Sequence, residues 1–127
     1  MKKVFAVLAA SALFLTGCGE AAATNLGAVD FQKKTQEAGV VILDVRTPAE
    51  FAAGHLEGAI NINAEGATFA GDIEKLDKNA EYAVYCQSGR RSGNAVSAMK
   101  DAGFTKLTNL SSGIQDWYNS GLPIVTE

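Results

Sequence analysis

Tyr82-Ala83-Val84-Tyr85-Cys86-Gln87-Ser88-Gly89-Arg90-Arg91-Ser92 decides how this chain folds. An apolar run, Tyr82 to Tyr85, leads directly into a cysteine. The loop after it is small and polar and carries two arginines. A stretch with helical spacing follows from Asn94 to Ala102, with Ala95, Ala98, Met99 and Ala102 on one side and Gly103 as its stop. A buried strand therefore hands over to a helix through a loop that begins with a thiol. That position gathers backbone N–H groups and the positive end of the helix dipole. These features and the nearby arginines favour thiolate over thiol, and the thiolate is the nucleophile.

Working outward, strands and helices alternate. Asn25 is read as the start of a first helix, with Val29 and Phe31 on its inner face and Gly39 just past its end. Val40 to Val45 is apolar apart from Asp44 and rich in β-branched residues, as a strand buried on both faces should be. In Thr47-Pro48-Ala49-Glu50, Thr47 caps a helix, Pro48 suits its first position and Glu50 completes a capping box. Gly54 ends that helix. Ala59 to Ile62 reads as a short strand, Phe69 to Leu76 as a helix closed by Asp77-Lys78-Asn79, and Thr105 to Leu110 as an alternating strand. Ser111-Ser112-Gly113 leads into a last helix through Trp117, terminated by Gly121 and Pro123. Strands separated by helices imply an α/β fold: an open parallel sheet of about five strands with helices on both faces. Ligands of such sheets bind beyond the carboxyl ends of the strands. Asp44-Val45-Arg46 and Cys86 are expected at that same rim.

The N-terminus reads as targeting rather than fold. Met1-Lys2-Lys3 is a basic start, and Val4 to Leu15 is apolar except for Ser11, short for a bilayer span and suited to a signal peptide. Leu15-Thr16-Gly17-Cys18 resembles the lipobox of bacterial lipoproteins, which implies cleavage before Cys18 and its lipidation. Residues 1–17 are then the signal peptide, 18–25 the lipidated cysteine and tether, and 26–127 one domain. Two or more acyl chains on Cys18 would hold the domain to the membrane, on the periplasmic side of a bacterial envelope. Gly19 stands where lipoproteins kept at the inner membrane often carry Asp, so the outer membrane is favoured. The net charge is −3, and −5 without Lys2 and Lys3 (nine basic side chains against fourteen acidic). No basic stripe exists, which argues against nucleic acid. With Cys18 lipidated, Cys86 is the lone thiol of the domain and has no internal disulfide partner.

Leu43-Asp44-Val45-Arg46-Thr47-Pro48-Ala49-Glu50-Phe51, then Gly54-His55-Leu56-Glu57-Gly58-Ala59-Ile60-Asn61-Ile62, closely resembles the rhodanese domain. The loop Cys86 to Ser92 resembles its active-site loop in Cys, Gly, Arg and Ser. Glu57 departs from the family's usual proline, and Ser112-Gly113 from a common Gly-Gly. The resemblance implies sulfurtransfer: Cys86 takes a sulfur from thiosulfate or polysulfide and passes it to cyanide or a thiol. It implies an anion cradle from the N–H groups of Gln87, Ser88, Gly89, Arg90, Arg91 and Ser92. Either Arg90 or Arg91 is left to grip the donor's oxygens. Asp44 and Arg46 are expected to support the loop and each other. No cofactor or metal is expected, since one histidine, His55, and one spare cysteine make no ligand set. The domain is expected to act as a monomer.

Two alternatives stand beside this. One is a rhodanese-fold binding or sensing module without turnover. Such modules usually lose the cysteine or loop arginine, and this chain keeps both. The other is a phosphatase or arsenate reductase of the same superfamily. Those resemble a Cys-x5-Arg pattern with a wider loop, whereas Arg91 gives Cys-x4-Arg here.

Overall fold

The computed structural model describes residues 23–126. Along them run β1 Thr24–Leu26, α1 Ala28–Thr35, β2 Val40–Asp44, α2 Pro48–Ala53, β3 Ile60–Asn61, α3 Phe69–Glu74, β4 Glu81–Tyr85, α4 Arg90–Asp101, β5 Lys106–Leu110 and α5 Gly113–Asn119. The strands form one parallel sheet in the order β1-β5-β4-β2-β3.

β4 shows why helices cover both faces. Its side chains alternate, yet Tyr82 to Tyr85 are all buried. Tyr82, Val84 and the following Cys86 pack on one side with Ile73, Val96, Met99 and Phe104. Ala83 and Tyr85 pack on the other with Phe31, Leu110, Ile114 and Trp117. Each large apolar side chain so buried contributes about 1.5–3 kcal/mol. An unbroken apolar run is the sequence of such a strand, and it ends where the thiol begins.

The connections place the site. From β2 the chain moves outward to β3, and from β4 it moves the opposite way to β5. The carboxyl ends of β2 and β4 thus flank the switch point where open parallel sheets bind ligands. Asp44 pairs in register with Tyr85, and the Val45 N–H donates to the Tyr85 carbonyl at 3.0 Å. Asp44, Arg46 and Cys86 do share one rim.

Several local expectations change. Thr24 and Asn25 lie in β1, paired with Thr108 and Asn109 of β5, so Asn25 starts no helix and the tether assigned to 18–25 runs into the sheet. A three-residue strand with one half-buried position carries no readable period; backbone pairing to β5 holds it, with Ser111 N–H adding a bond to the Leu26 carbonyl at 3.1 Å. Because the helix begins at Ala28, its inner face is Ala28 and Phe31, and Val29 is exposed. β5 is buried from Leu107 to Leu110 rather than alternating, because helices cover both its faces. β3 and α3 are each shorter than expected, as helix and strand ends fray. α4 starts at Arg90 rather than Asn94, and Ala98 is exposed. The signal peptide and Cys18 lie outside the described residues. Among the described residues, no helix is long and apolar enough to cross a membrane.

Candidate active site

Cys86 leaves the end of β4 and is buried. Two bonds fix the base of its loop to the start of α5: Ile114 N–H donates to the Cys86 carbonyl at 2.9 Å, and Gln115 N–H to the Gln87 carbonyl at 3.3 Å. The chain then curls through Gly89, at φ +101°, and enters α4. A Cβ on Gly89 would sit 2.0 Å from the Ser111 carbonyl oxygen, and one on Gly113 would sit 2.1 Å from that of Gln87. The two turns lie backbone against backbone, which only glycine at both positions allows. Gly113 therefore shapes the thiol loop from a distant part of the chain, a role its sequence position as a helix lead does not reveal.

The curl aims donors at the sulfur. Gly89 N–H lies 3.1 Å from Cys86 Sγ. Burial pushes the thiol up, but the Ser92 hydroxyl and the N–H groups of Ser92, Gly89 and Ser88 outweigh it, and the net shift is downward. The Ser92 hydroxyl has one proton and two acceptors, the Gly89 carbonyl at 3.1 Å and the charged sulfur. Turned toward the carbonyl it braces the loop; turned toward sulfur it stabilises thiolate. The N-terminus of the twelve-residue α4 adds its dipole. Gln87 and Ser88 are exposed at the mouth.

The two arginines separate. Both stand in the first turn of α4, which has no acidic residue, so each charge opposes the dipole at a cost of about 0.3–1 kcal/mol. Arg91 is held by both terminal nitrogens, at 2.7 Å and 2.9 Å from the two carboxylate oxygens of Glu50. That fork and the Thr47 bonds hold the Glu50 carboxyl down to about 2, and Glu50 in turn pushes Arg91 up. Glu50 is also the capping residue read from the sequence: its N–H donates to Thr47 Oγ1 at 3.2 Å, and it accepts from the Thr47 N–H at 3.4 Å. One side chain thus caps α2 and anchors the thiol loop; local spacing shows only the first role. Arg90 is exposed and has no ion pair among the described residues.

Asp44 and Arg46 form a buried cluster behind the loop. Arg46 Nη2 lies 2.7 Å from Asp44 Oδ2, and the Arg46 N–H donates to Asp44 Oδ1 at 2.8 Å. Tyr85 O–H donates to Asp44 Oδ2 at 2.7 Å and accepts from Leu56 N–H at 3.1 Å. Burial first, then Asp44, pushes the Tyr85 phenol strongly up, so it stays a donor. Arg46 also donates to the Gly54 carbonyl at 2.6 Å. The cluster therefore ties β2 to β4 and to the turn after α2, rather than bonding the thiol loop itself. Tyr85 is its third member, visible in the sequence only as an apolar strand residue. His55 is buried, stacks on Phe51 at 3.7 Å, and places Nδ1 2.7 Å from the Phe51 carbonyl, to which it must donate. Trp117 donates to the Pro123 carbonyl at 2.9 Å and packs edge-on against Phe31.

Comparison with known proteins matches residues 28–120 to the rhodanese-like domain family. A sulfurtransferase of Allochromatium vinosum is 34% identical over 86 residues, covering 68% of this chain and 78% of that protein. Thiosulfate sulfurtransferase 16, chloroplastic, of Arabidopsis thaliana is 38% identical over 96 residues, covering 68% and 80%. Other relatives are longer: the chain spans 45% of the putative sulfur carrier protein YrkF of Bacillus subtilis. A crystal structure of a rhodanese-related protein from Thermoplasma volcanium superposes with a TM-score of 0.72 at 30% identity, covering 82% of this chain and 99% of that one. A structure of rhodanese with anions from E. coli gives a TM-score of 0.55 at 32% identity, covering 69% and 99%. With a strand-end thiol, a curled N–H loop and this match over most of its length, the chain belongs to the rhodanese-like domain family.

Proposed function

We propose that this protein is a sulfurtransferase that carries sulfane sulfur as a persulfide on Cys86, taking it from thiosulfate or polysulfide and giving it to cyanide or a thiol. The observation that carries this reading is Cys86 Sγ beneath the Gly89 N–H, with its thiol shifted downward by surrounding donors. The sulfurtransferase names of two relatives support it. In the first half-reaction the thiolate attacks the outer sulfur of thiosulfate. The new S–S bond forms as the old one breaks, and its electron pair leaves with sulfite. In the second, cyanide attacks the terminal sulfur, thiocyanate departs, and the pair returns to Cys86 as thiolate. Neither step needs a proton relay or a cofactor. Both need N–H groups facing the sulfur that carries charge, which the loop supplies. Exposed Arg90 attracts the dianionic donor, while Arg91 positions the loop through Glu50.

The lipobox-like Leu15 to Cys18 supports a lipid anchor on Cys18 and a place on the periplasmic side of the bacterial envelope, and the acidic charge balance supports a domain that binds no nucleic acid. The catalytic reading is tested by thiocyanate release from thiosulfate and cyanide. Cys86→Ser should abolish release while leaving the circular dichroism spectrum unchanged. A folded Cys86→Ser protein that still turned over would sink it.

A further inference from the structure

A groove of about 320 Å³ opens beside the thiol loop, at the small end of the range for ligand pockets. Ile114 and Tyr118 of α5, Ile124 and Ala53 form its apolar walls, and Gln87 carries it to the loop. Ile114 donates its N–H to the Cys86 carbonyl, so one wall of the groove is hydrogen-bonded to the backbone of the reacting residue, and Gln87, the next residue, lines it.

Its charge is the informative part. Two ionised side chains line it, Arg46 and Glu50. Arg46 is paired with Asp44 at 2.7 Å, and Glu50 holds Arg91 by two bonds. Neither loop arginine lines the groove. An anion entering it would lose water and meet no unpaired cation. Tyr118, one turn after buried Ile114, is 69% exposed at the rim. The other exposed large apolar side chains, Val29 and Ile60, do not line it. Tyr118 thus extends the apolar wall of Ile114 and Ile124 out to the rim, beside a loop of the kind that carries function.

We infer that this groove holds the body of the sulfur acceptor, and that the acceptor is a small organic thiol with an uncharged, apolar body. At roughly 30 Å³ per non-hydrogen atom the space takes about ten such atoms. The inference deepens the sulfurtransfer reading and rests on it. The acceptor's sulfur attacks the outer sulfur of the Cys86 persulfide, and a new S–S bond forms. The Cys86 S–S bond breaks, and its electron pair returns to Sγ as thiolate. The acceptor leaves as its own persulfide with the proton its thiol brought, so nothing is oxidised or reduced overall.

The test uses the full chain, charged with thiosulfate and stripped of excess donor. Loss of the persulfide is timed with 2-phenylethanethiol, with 2-mercaptoethanesulfonate and with cyanide, each rate expressed per ionised nucleophile. The apolar thiol should outpace the sulfonate at least about tenfold, the worth of about two buried methylenes. Tyr118→Ala should cut the ratio of phenylethanethiol to cyanide several-fold, and Tyr118→Lys should raise the sulfonate rate relative to phenylethanethiol. Equal rates for the two thiols, or a Tyr118→Ala ratio matching wild type, would overturn the groove assignment while a cyanide-labile persulfide left sulfurtransfer standing. Failure to charge Cys86 with either thiosulfate or polysulfide would overturn both.

Discussion

Two arginine–carboxylate pairs stand at the same rim of the sheet and differ in exposure. In the pair of Arg46 with Asp44 the side chains are 5% and 0% exposed, and Tyr85 O–H shares the carboxylate. In the pair of Arg91 with Glu50 they are 16% and 32% exposed, and the carboxylate belongs to a helix cap. The first pair cannot be opened without stranding a charge away from water, so it acts as architecture. The second borders the mouth, where water can replace either partner and an anionic donor can replace Glu50. The fold thus fixes the strand ends with a buried pair and tunes the thiol loop with an accessible one.

Removing one partner of each pair is the sharpest way to break this contrast. Asp44→Ala leaves the buried Arg46 guanidinium without its carboxylate, with only the Gly54 carbonyl to accept from it, and takes the acceptor from the Tyr85 hydroxyl. It should destabilise the domain by about 3–5 kcal/mol, lowering Tm by roughly 15 °C or more. A melting curve within a few degrees of wild type would remove the distinction. Arg91→Ala should cost at most about 1 kcal/mol, because Glu50 regains water; chemical denaturation of the two variants side by side checks the order.

Function should divide the pairs too. Glu50→Gln weakens the hold on Arg91 and returns a cation to the mouth, so the KM for thiosulfate should fall about two- to fivefold, the scale of a screened surface charge. Steady-state kinetics with the dianionic donor reads this directly. An unchanged KM would mean that Arg91 is a brace and nothing more.

Acid should weaken the accessible pair. The Glu50 carboxyl lies at about 2 in the folded protein, below its ordinary 4.5. A carboxyl depressed by folding stabilises above its unfolded value and loses that stabilisation as pH falls through the folded one. The pair should therefore support the fold fully above about pH 5 and fade toward pH 2, by about 1 kcal/mol after solvent screening. The stability difference between wild type and Glu50→Gln should close across that window and stay constant above it.

The smallest change concerns a single proton. Ser92→Ala removes a donor that favours the charged sulfur, so the Cys86 thiol should titrate higher. Alkylation rate against pH should move its inflection upward while the melting temperature shifts little. An unmoved inflection would assign the depressed thiol to backbone groups alone.

What could be read from the sequence was what repeats or sits close along the chain. The run Tyr82 to Tyr85 announced a buried strand, and Thr47-Pro48-Ala49-Glu50 announced a capped helix; the structure contains both. β1 escaped because three residues show no period and its partner, β5, lies at the far end of the chain. The start of α4 at Arg90 escaped because Gly and Arg there read as loop, while Gly89 in the left-handed region lets the helix begin at once. The link from Glu50 to Arg91 spans 41 positions, and Gly113 meets Gln87 only when two turns stack. Contacts of that kind have no local signature. The thiol and its loop were legible; the groups that aim the loop were not.

The most direct test of sulfur carriage is the intact mass of the full chain before and after thiosulfate, and again after cyanide. A gain of one sulfur, about 32 Da, that cyanide removes and that Cys86→Ser never shows, is the expected result for a nucleophilic thiolate. A wild-type mass unchanged by thiosulfate and by polysulfide, or a gain that persists in Cys86→Ser, would contradict the account.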